Sequence, residues 1–139
     1  MWQTWILLIL TIVFWGTTPI LEKAGLKQID EFTALFIRSI VIFGILLVAF
    51  TFSGKLSSLS KIPPKTILIF ALSGIFAGLL GMWTYFKILK LNPSSKIVPL
   101  VATYPLVTSL LSVLILKEEV TWQRIAGTIF IVLGILLVK

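Results

Sequence analysis

The chain has 139 residues, a length that suits one small domain, but 58% of them are hydrophobic, 12% are charged and the mean hydropathy is +1.12, which excludes a water-soluble globule. The charge is lopsided, 12 Lys+Arg against 5 Asp+Glu for a formal net +7, a balance that in a soluble protein would point to nucleic acid and here calls for a membrane reading. With no Cys and no His, the sequence excludes a disulfide framework, thiol nucleophiles and the commonest zinc and imidazole chemistry.

A bilayer core about 30 Å thick takes roughly 20 apolar residues of helix, because lipid offers backbone N–H and C=O groups no partner outside the helix. Five stretches meet that need and predict an all-α polytopic membrane protein. The first runs from Trp2 to Leu21. Its opening MWQTW lacks the positive charge of a signal peptide and no small-residue cleavage site precedes the next span, so it is expected to stay on the protein. It contains FWGTTPILEKAGL, with Trp15, Pro19 and Glu22 at i, i+4 and i+7 on one helical face. Pro19 frees a carbonyl one turn earlier, near Trp15, and the hydroxyls of Thr17 and Thr18 can partly satisfy such groups. A locally broken helix beside a Trp makes a wall for a small-molecule cavity.

A short charged loop, Glu22 to Glu31, leads to the second span, Phe32 to Phe52. Arg38 lies about six residues, or about 9 Å of helix rise, inside it, where a cation facing lipid costs about 2.5–3.5 kcal/mol. Arg38 is therefore expected to face protein or water, and Glu22 ends the first span on the same side of the membrane. A Glu22–Arg38 pair has two readings, a gate or substrate contact and a structural ion pair holding two helices. The loop Ser53 to Thr66, with Gly54, a serine run and Pro63-Pro64, precedes the third span, Ile67 to Phe86. That span carries a small-residue stripe in which Gly74 and Gly78 form a GxxxG pair suited to close helix contact.

The fourth span, Ile97 to Leu116, repeats the proline theme with Pro99 and Pro105, flanked by Lys96, Thr103, Tyr104, Thr108 and Ser109. It reads as a kinked helix, either for packing or along a pathway. The fifth, Val120 to Val138, is the weakest: its uninterrupted apolar stretch starts at Ile125, and Gln123 and Arg124 must snorkel into the headgroups. Gly127 and Gly134 lie two turns apart on one face of it, as an internal contact or a subunit seam. Trp2, Trp5, Tyr85 and Trp122 near span ends read as interfacial anchors.

Five spans put the termini on opposite sides, so the basic residues sort into two groups. Lys55, Lys61, Lys65, Lys117, Arg124 and the terminal amine fall on one side; Lys23, Lys27, Lys87, Lys90, Lys96 and Lys139 fall on the other. This near tie predicts insertion in both orientations and antiparallel pairing of copies. The alternative is that a few loop charges dominate and fix one orientation.

These residues resemble the EamA domain of the drug/metabolite transporter superfamily over essentially the whole chain. The resemblance lies in FWGTTPILEKAGL, in ALFIRS with its Arg, and most specifically in the run from Tyr85 to the end, where Pro105, Glu118, Gly127 and Gly134 match the family pattern. GTIFIVLG is also similar to the last-helix motif of the small multidrug resistance proteins, whose dual-topology members pair antiparallel through that helix. Most EamA transporters hold two such domains, ten helices in all, one inverted relative to the other. The resemblance thus implies a five-helix half of a ten-helix inverted-repeat transporter, completed as an antiparallel homodimer or by another single-domain chain. The small multidrug transporters embed a Glu in the middle of the first helix, whereas Glu22 stands at its end.

The resulting expectation is a secondary transporter moving a small metabolite or drug-like solute by alternating access, in the cytoplasmic (inner) membrane of a bacterium or archaeon. Trp15, Thr18, Pro19, Arg38, Trp83, Lys96, Pro99, Tyr104 and Ser109 are the expected pathway residues: aromatics supply apolar area, hydroxyls orient the solute, and Arg38 with Lys96 favours an anionic group. Glu22 is the carboxylate for proton coupling, against an equally open facilitative carrier, since Asp30, Glu31, Glu118 and Glu119 sit in loops. The lipid bilayer, a solute and a second copy are the expected partners, with no nucleic acid, cofactor or metal. A non-transporting membrane subunit is the competing reading. A lipid-active enzyme is disfavoured, because no His, Cys or paired intramembrane carboxylates are available.

Overall fold

A computed structural model describes residues 2–119 and 121–137. Val120 and Val138, the expected limits of the fifth span, and Lys139 in the charge count lie outside the described residues. Among the described residues every regular element is helical and none is a strand. Four helical runs of the described residues are long and apolar enough to cross a membrane: Trp2–Gly25, Glu31–Phe52, Pro64–Leu91 and Ser94–Leu116. The last helix, Trp122–Leu137, has 16 residues. Its described residues rise about 24 Å, against a bilayer core about 30 Å thick.

The chain divides into two compact units, Met1–Leu91 and Asn92–Lys139. In the first, α1 (Trp2–Gly25) carries Pro19 inside it. The Thr17 hydroxyl donates to the carbonyls of Val13 and Phe14 at 2.9 and 3.1 Å, and that of Thr18 donates to Phe14 at 2.7 Å. The hydroxyls thus bond carbonyls just short of Trp15, the position expected from Pro19, because a helical threonine reaches back three or four residues.

Asp30 caps α2 (Glu31–Phe52), its Oδ1 accepting the N–H groups of Phe32 and Thr33 at 3.0 and 2.9 Å. Hydrogen bonds from Thr33, side chain first and then backbone, hold the Asp30 carboxyl below the usual aspartate range. After α2 the chain turns at Gly54, with φ of 67°, passes through the short α3 (Leu56–Leu59), and restarts with Pro64 in the first turn of α4 (Pro64–Ser73).

The third run continues from α4 through an eight-residue π-helix, Gly74–Gly81, into α5 (Met82–Leu91). The sequence reads this stretch as an ordinary helix with a close-contact glycine pair. In the structure no heavy atom beyond the local helix backbone lies within 4 Å of a Cβ built on Gly74 or Gly78. Gly74 and Gly78 therefore leave open space here. Gly81 is different: a Cβ there would meet the Phe76 carbonyl oxygen at 3.0 Å, the carbonyl five residues back that a π-turn brings round.

α1 ends, α2 begins and α5 ends at the same end of this unit, and its core gathers there. Leu26, Leu35, Phe86 and Leu89 are buried together, with Met82, Trp83 and Tyr85 packed against them. Elsewhere in this unit most of the large apolar side chains of the spans are exposed. That arrangement suits a surface covered by lipid or protein rather than water.

The second unit holds α6 (Ser94–Val101), α7 (Tyr104–Leu116) and α8 (Trp122–Leu137). The expected kink is present within the run Ser94–Leu116, as a two-residue break between α6 and α7. Pro105 has no N–H to continue the ladder, so the chain turns at Ala102 and Thr103, and the Thr103 hydroxyl takes up the Leu100 carbonyl at 2.7 Å. α7 ends with Lys117 in the left-handed region, φ of 55°.

Candidate functional site

The charged residues of the first unit converge on the end where its core lies. Glu22, in the last turns of α1, meets Arg38 of α2: Arg38 Nη1 stands 3.3 Å from Glu22 Oε1. The Glu22 side chain is only 10% exposed, that of Arg38 38%. The two meeting atoms are themselves shut off from solvent, and neither has a partner in hydrogen-bond geometry. The pair therefore gains Coulomb attraction in a low-dielectric setting without the directional bonds that usually offset desolvation. The Tyr85 phenol from α5 lies within electrostatic reach of both groups.

Two lysines brace the same end. Lys23 Nζ donates to the carbonyls of Leu89 and Lys90 at 2.6 and 2.9 Å, satisfying orphan acceptors at the end of α5. Lys90 Nζ reaches back to the Ile29 carbonyl at 2.9 Å and pairs with Glu31 at 3.6 Å. Nearby, Lys87 Nζ lies 4.0 Å from the centroid of the Trp83 ring, a cation–π contact.

Arg38 also lines a groove of about 420 Å³ between α2 and the π-helix. Ser39 is beside it, and Ile42, Phe43 and Leu46 continue the α2 wall while Gly74 and Gly78 form part of the opposite one. The second unit has its own groove, of about 530 Å³, with the hydroxyl residues Thr108, Ser109, Ser112 and Thr128 in its lining. At its polar end Arg124 Nη1 stands 3.8 Å from Glu118 Oε2 and donates to the Glu119 carbonyl at 3.3 Å.

Of the residues singled out in the sequence, Glu22 and Arg38 are brought together and Arg38, Gly74 and Gly78 share the first groove. Pro19 is buried, Thr18 and Trp83 are half-buried, and Trp15 is 67% exposed. None of these four lines that groove. In the second unit Ser109 lines the groove, whereas Lys96 and Tyr104 are exposed and Pro99 half-buried within α6. Gly127 and Gly134 have nothing within 4 Å of a built Cβ. Sequence reasoning missed Ser39, the part of Tyr85 beside the ion pair, and the Lys23–Lys90 brace. A lysine in the last turn of each helix was the available signal for the brace.

Long apolar helices with exposed side chains, and a buried charge pair at the end of one unit, define a polytopic integral membrane protein. The chain matches the EamA-like transporter family over residues 3–139 and belongs to it. An uncharacterized transporter in the cobO 3'region of Sinorhizobium sp. is 33% identical over 137 residues, covering 98% of this chain and 94% of the relative. An uncharacterized transporter of Archaeoglobus fulgidus is 27% identical over 128 residues, covering 91% of this chain but 44% of the relative. No solved structure matches the chain.

Proposed function

We propose that the protein is a secondary transporter that moves a small metabolite or drug-like solute by alternating access, as an antiparallel homodimer in a bacterial or archaeal cytoplasmic membrane. The observation that carries this reading is membership of a transporter family over nearly the whole chain. The chain's coverage of 44% of the archaeal relative supports a half-transporter that needs a second half. In this reading the apolar helix α8 is the fifth span, its short length met by local bilayer thinning and by snorkelling of Arg124. Five spans require the second half to be inverted, and the near-even division of basic residues between the two faces supports insertion of one chain in both orientations.

The first unit contributes Trp15, Thr18, Pro19, Arg38 and Trp83 to the pathway, and the second contributes Lys96, Pro99, Tyr104 and Ser109. Gly127 and Gly134, which leave α8 a smooth face, serve as the subunit seam. Reconstitution tests the proposal. Purified dimers in liposomes should release or accumulate at least one solute from a labelled metabolite panel, and flux should fall at least about tenfold in Arg38→Gln. Intact dimers with no flux across the panel would favour a non-transporting subunit, and flux appearing only with a second, different chain would favour a heterodimer.

A further inference from the structure

Arg38 meets a carboxylate it holds poorly and also lines a groove that, among the described residues, has no other side-chain cation in its lining. Glu22 is nine-tenths buried and meets the guanidinium at 3.3 Å without hydrogen-bond geometry. A guanidinium carries five N–H donors in a planar fork that fits a carboxylate bidentately, so most of its capacity is unused by Glu22. The groove of about 420 Å³ has Arg38 and Ser39 in its lining and continues along Ile42, Phe43 and Leu46. From Arg38 to Leu46 α2 rises about 12 Å, so the groove has a cationic head and a long apolar body.

We propose that this groove binds a small monocarboxylate with a short apolar chain, and that Glu22 is an internal competitor for the same guanidinium. The solute's carboxylate takes the fork of Arg38, with the Ser39 hydroxyl as a further donor, and its chain lies along Ile42 and Phe43. A doubly charged head such as a phosphate monoester is disfavoured relative to a monocarboxylate, because it would bring two negative charges rather than one to a single guanidinium that already faces Glu22. An uncharged solute offers the unused N–H donors of Arg38 no charged acceptor. The charged and titratable groups facing Glu22 are Arg38 from α2 and Tyr85 from α5, while its neighbour Lys23 is turned to the carbonyls at the end of α5. Competition therefore predicts opposite effects from removing the two members of the pair. A purely structural ion pair predicts the same effect from both.

This assigns a solute class to the transport reading and rests on it for the passage of that solute, but the test is a binding measurement that needs no flux. Hexanoate and its uncharged counterpart hexanamide are titrated against the intact protein in phosphatidylcholine nanodiscs, with binding read by the thermal midpoint and by saturation-transfer NMR. Hexanoate should bind at least about tenfold more tightly than hexanamide. Glu22→Gln should tighten hexanoate binding at least about threefold, and Arg38→Gln should erase the preference for the charged ligand. Should either single variant fail to fold, the neutral pair Glu22→Gln/Arg38→Gln removes the lone buried charge and should bind both ligands equally and weakly. Gly78→Leu, at a position with open space, should fill the groove and abolish hexanoate binding while leaving both charges in place.

Equal affinity for the two ligands in the wild type would overturn the proposal, as would weaker hexanoate binding in Glu22→Gln. Stabilisation by added phosphatidylglycerol with no response to hexanoate would also overturn it and make the groove a lipid site. Hexanoate binding without flux in liposomes would sink transport and leave this assignment standing. Flux of uncharged solutes with no carboxylate preference would do the reverse.

Discussion

Lys23 and Lys90 reach past each other across the same helix ends, and magnitudes separate their contributions. Lys23 supplies two hydrogen bonds from a charged group to carbonyls that would otherwise be orphaned, and a single bond of that kind is worth about 1.5–3 kcal/mol. The Lys90–Glu31 pair, at 3.6 Å with both side chains partly exposed, belongs with ion pairs worth about 0–1 kcal/mol. Lys23→Met, which keeps the apolar stem, should therefore lower the unfolding free energy in detergent by about 2 kcal/mol, and Glu31→Gln by less than about 1 kcal/mol. Equal losses, measured by denaturant titration of helicity, would contradict this assignment. Asp30 gives a pH dependence of known sign. Its carboxyl is held below the usual range by the α2 cap, so the cap's stabilisation is full above the unfolded value of about 3.9 and is lost as pH falls through the lower folded value. Asp30→Ala should lower the thermal midpoint at neutral pH, and its difference from wild type should vanish in strong acid. Asp30→Asn should keep most of the cap and lose the titration. At this scale the sequence made the Glu22–Arg38 contact legible, since two opposite charges stood at the same end of adjoining spans. The lysine brace stayed hidden because its acceptors are backbone carbonyls, which every residue carries.

The third helical run is the element whose geometry departs furthest from its sequence pattern. GIFAGLLG has apolar residues throughout, so hydrophobic period cannot distinguish a π-turn from an α-turn, and the glycines read equally well as a packing stripe. Run length alone carried the four long runs, and the prolines of the fourth announced its kink but not that the break would fall at Ala102–Thr103, before Pro105, while Pro99 stays inside α6. The glycines now predict unequal responses to one added methyl. At Gly74 the space is open, and Ala gains about 1 kcal/mol of helix propensity. At Gly81 the methyl meets a backbone oxygen at 3.0 Å that cannot swing aside, and overpacking of this kind costs about 1–3 kcal/mol. Gly74→Ala should be neutral or stabilising, while Gly81→Ala should melt lower than Gly74→Ala by an amount equivalent to about 1–3 kcal/mol. Hydrogen exchange at residues 76–81 should slow in Gly81→Ala if the segment escapes the clash by tightening from π to α, and an unchanged melt with unchanged exchange would refute the steric account.

At the scale of the whole molecule, the proposed antiparallel pairing rests on orientation. Inserting one chain in both directions requires neither face to dominate in Lys and Arg, and the two groups differ by little. The absence of Cys makes a single introduced thiol a clean reporter. Ser58, exposed in α3 on the face opposite the Glu22–Glu31 loop, is a suitable site. An impermeant maleimide should label Ser58→Cys from each face of the membrane in separate fractions of the population, whereas labelling from one face alone would exclude the antiparallel homodimer. The tie should also be breakable by a small charge change. Replacing Lys55 and Lys61 with Ser leaves the Lys23, Lys27, Lys87 and Lys90 face as the basic one, and the positive-inside tendency should then hold that face in the cytoplasm and expose Ser58→Cys to the outside only. Replacing Lys27 and Lys87 instead should bias the chain the other way. Each variant alone should lose flux, since copies of one orientation cannot form the inverted pair, and co-expression of the two should restore it. Full flux from either biased variant alone would mean that the functional unit is a parallel assembly.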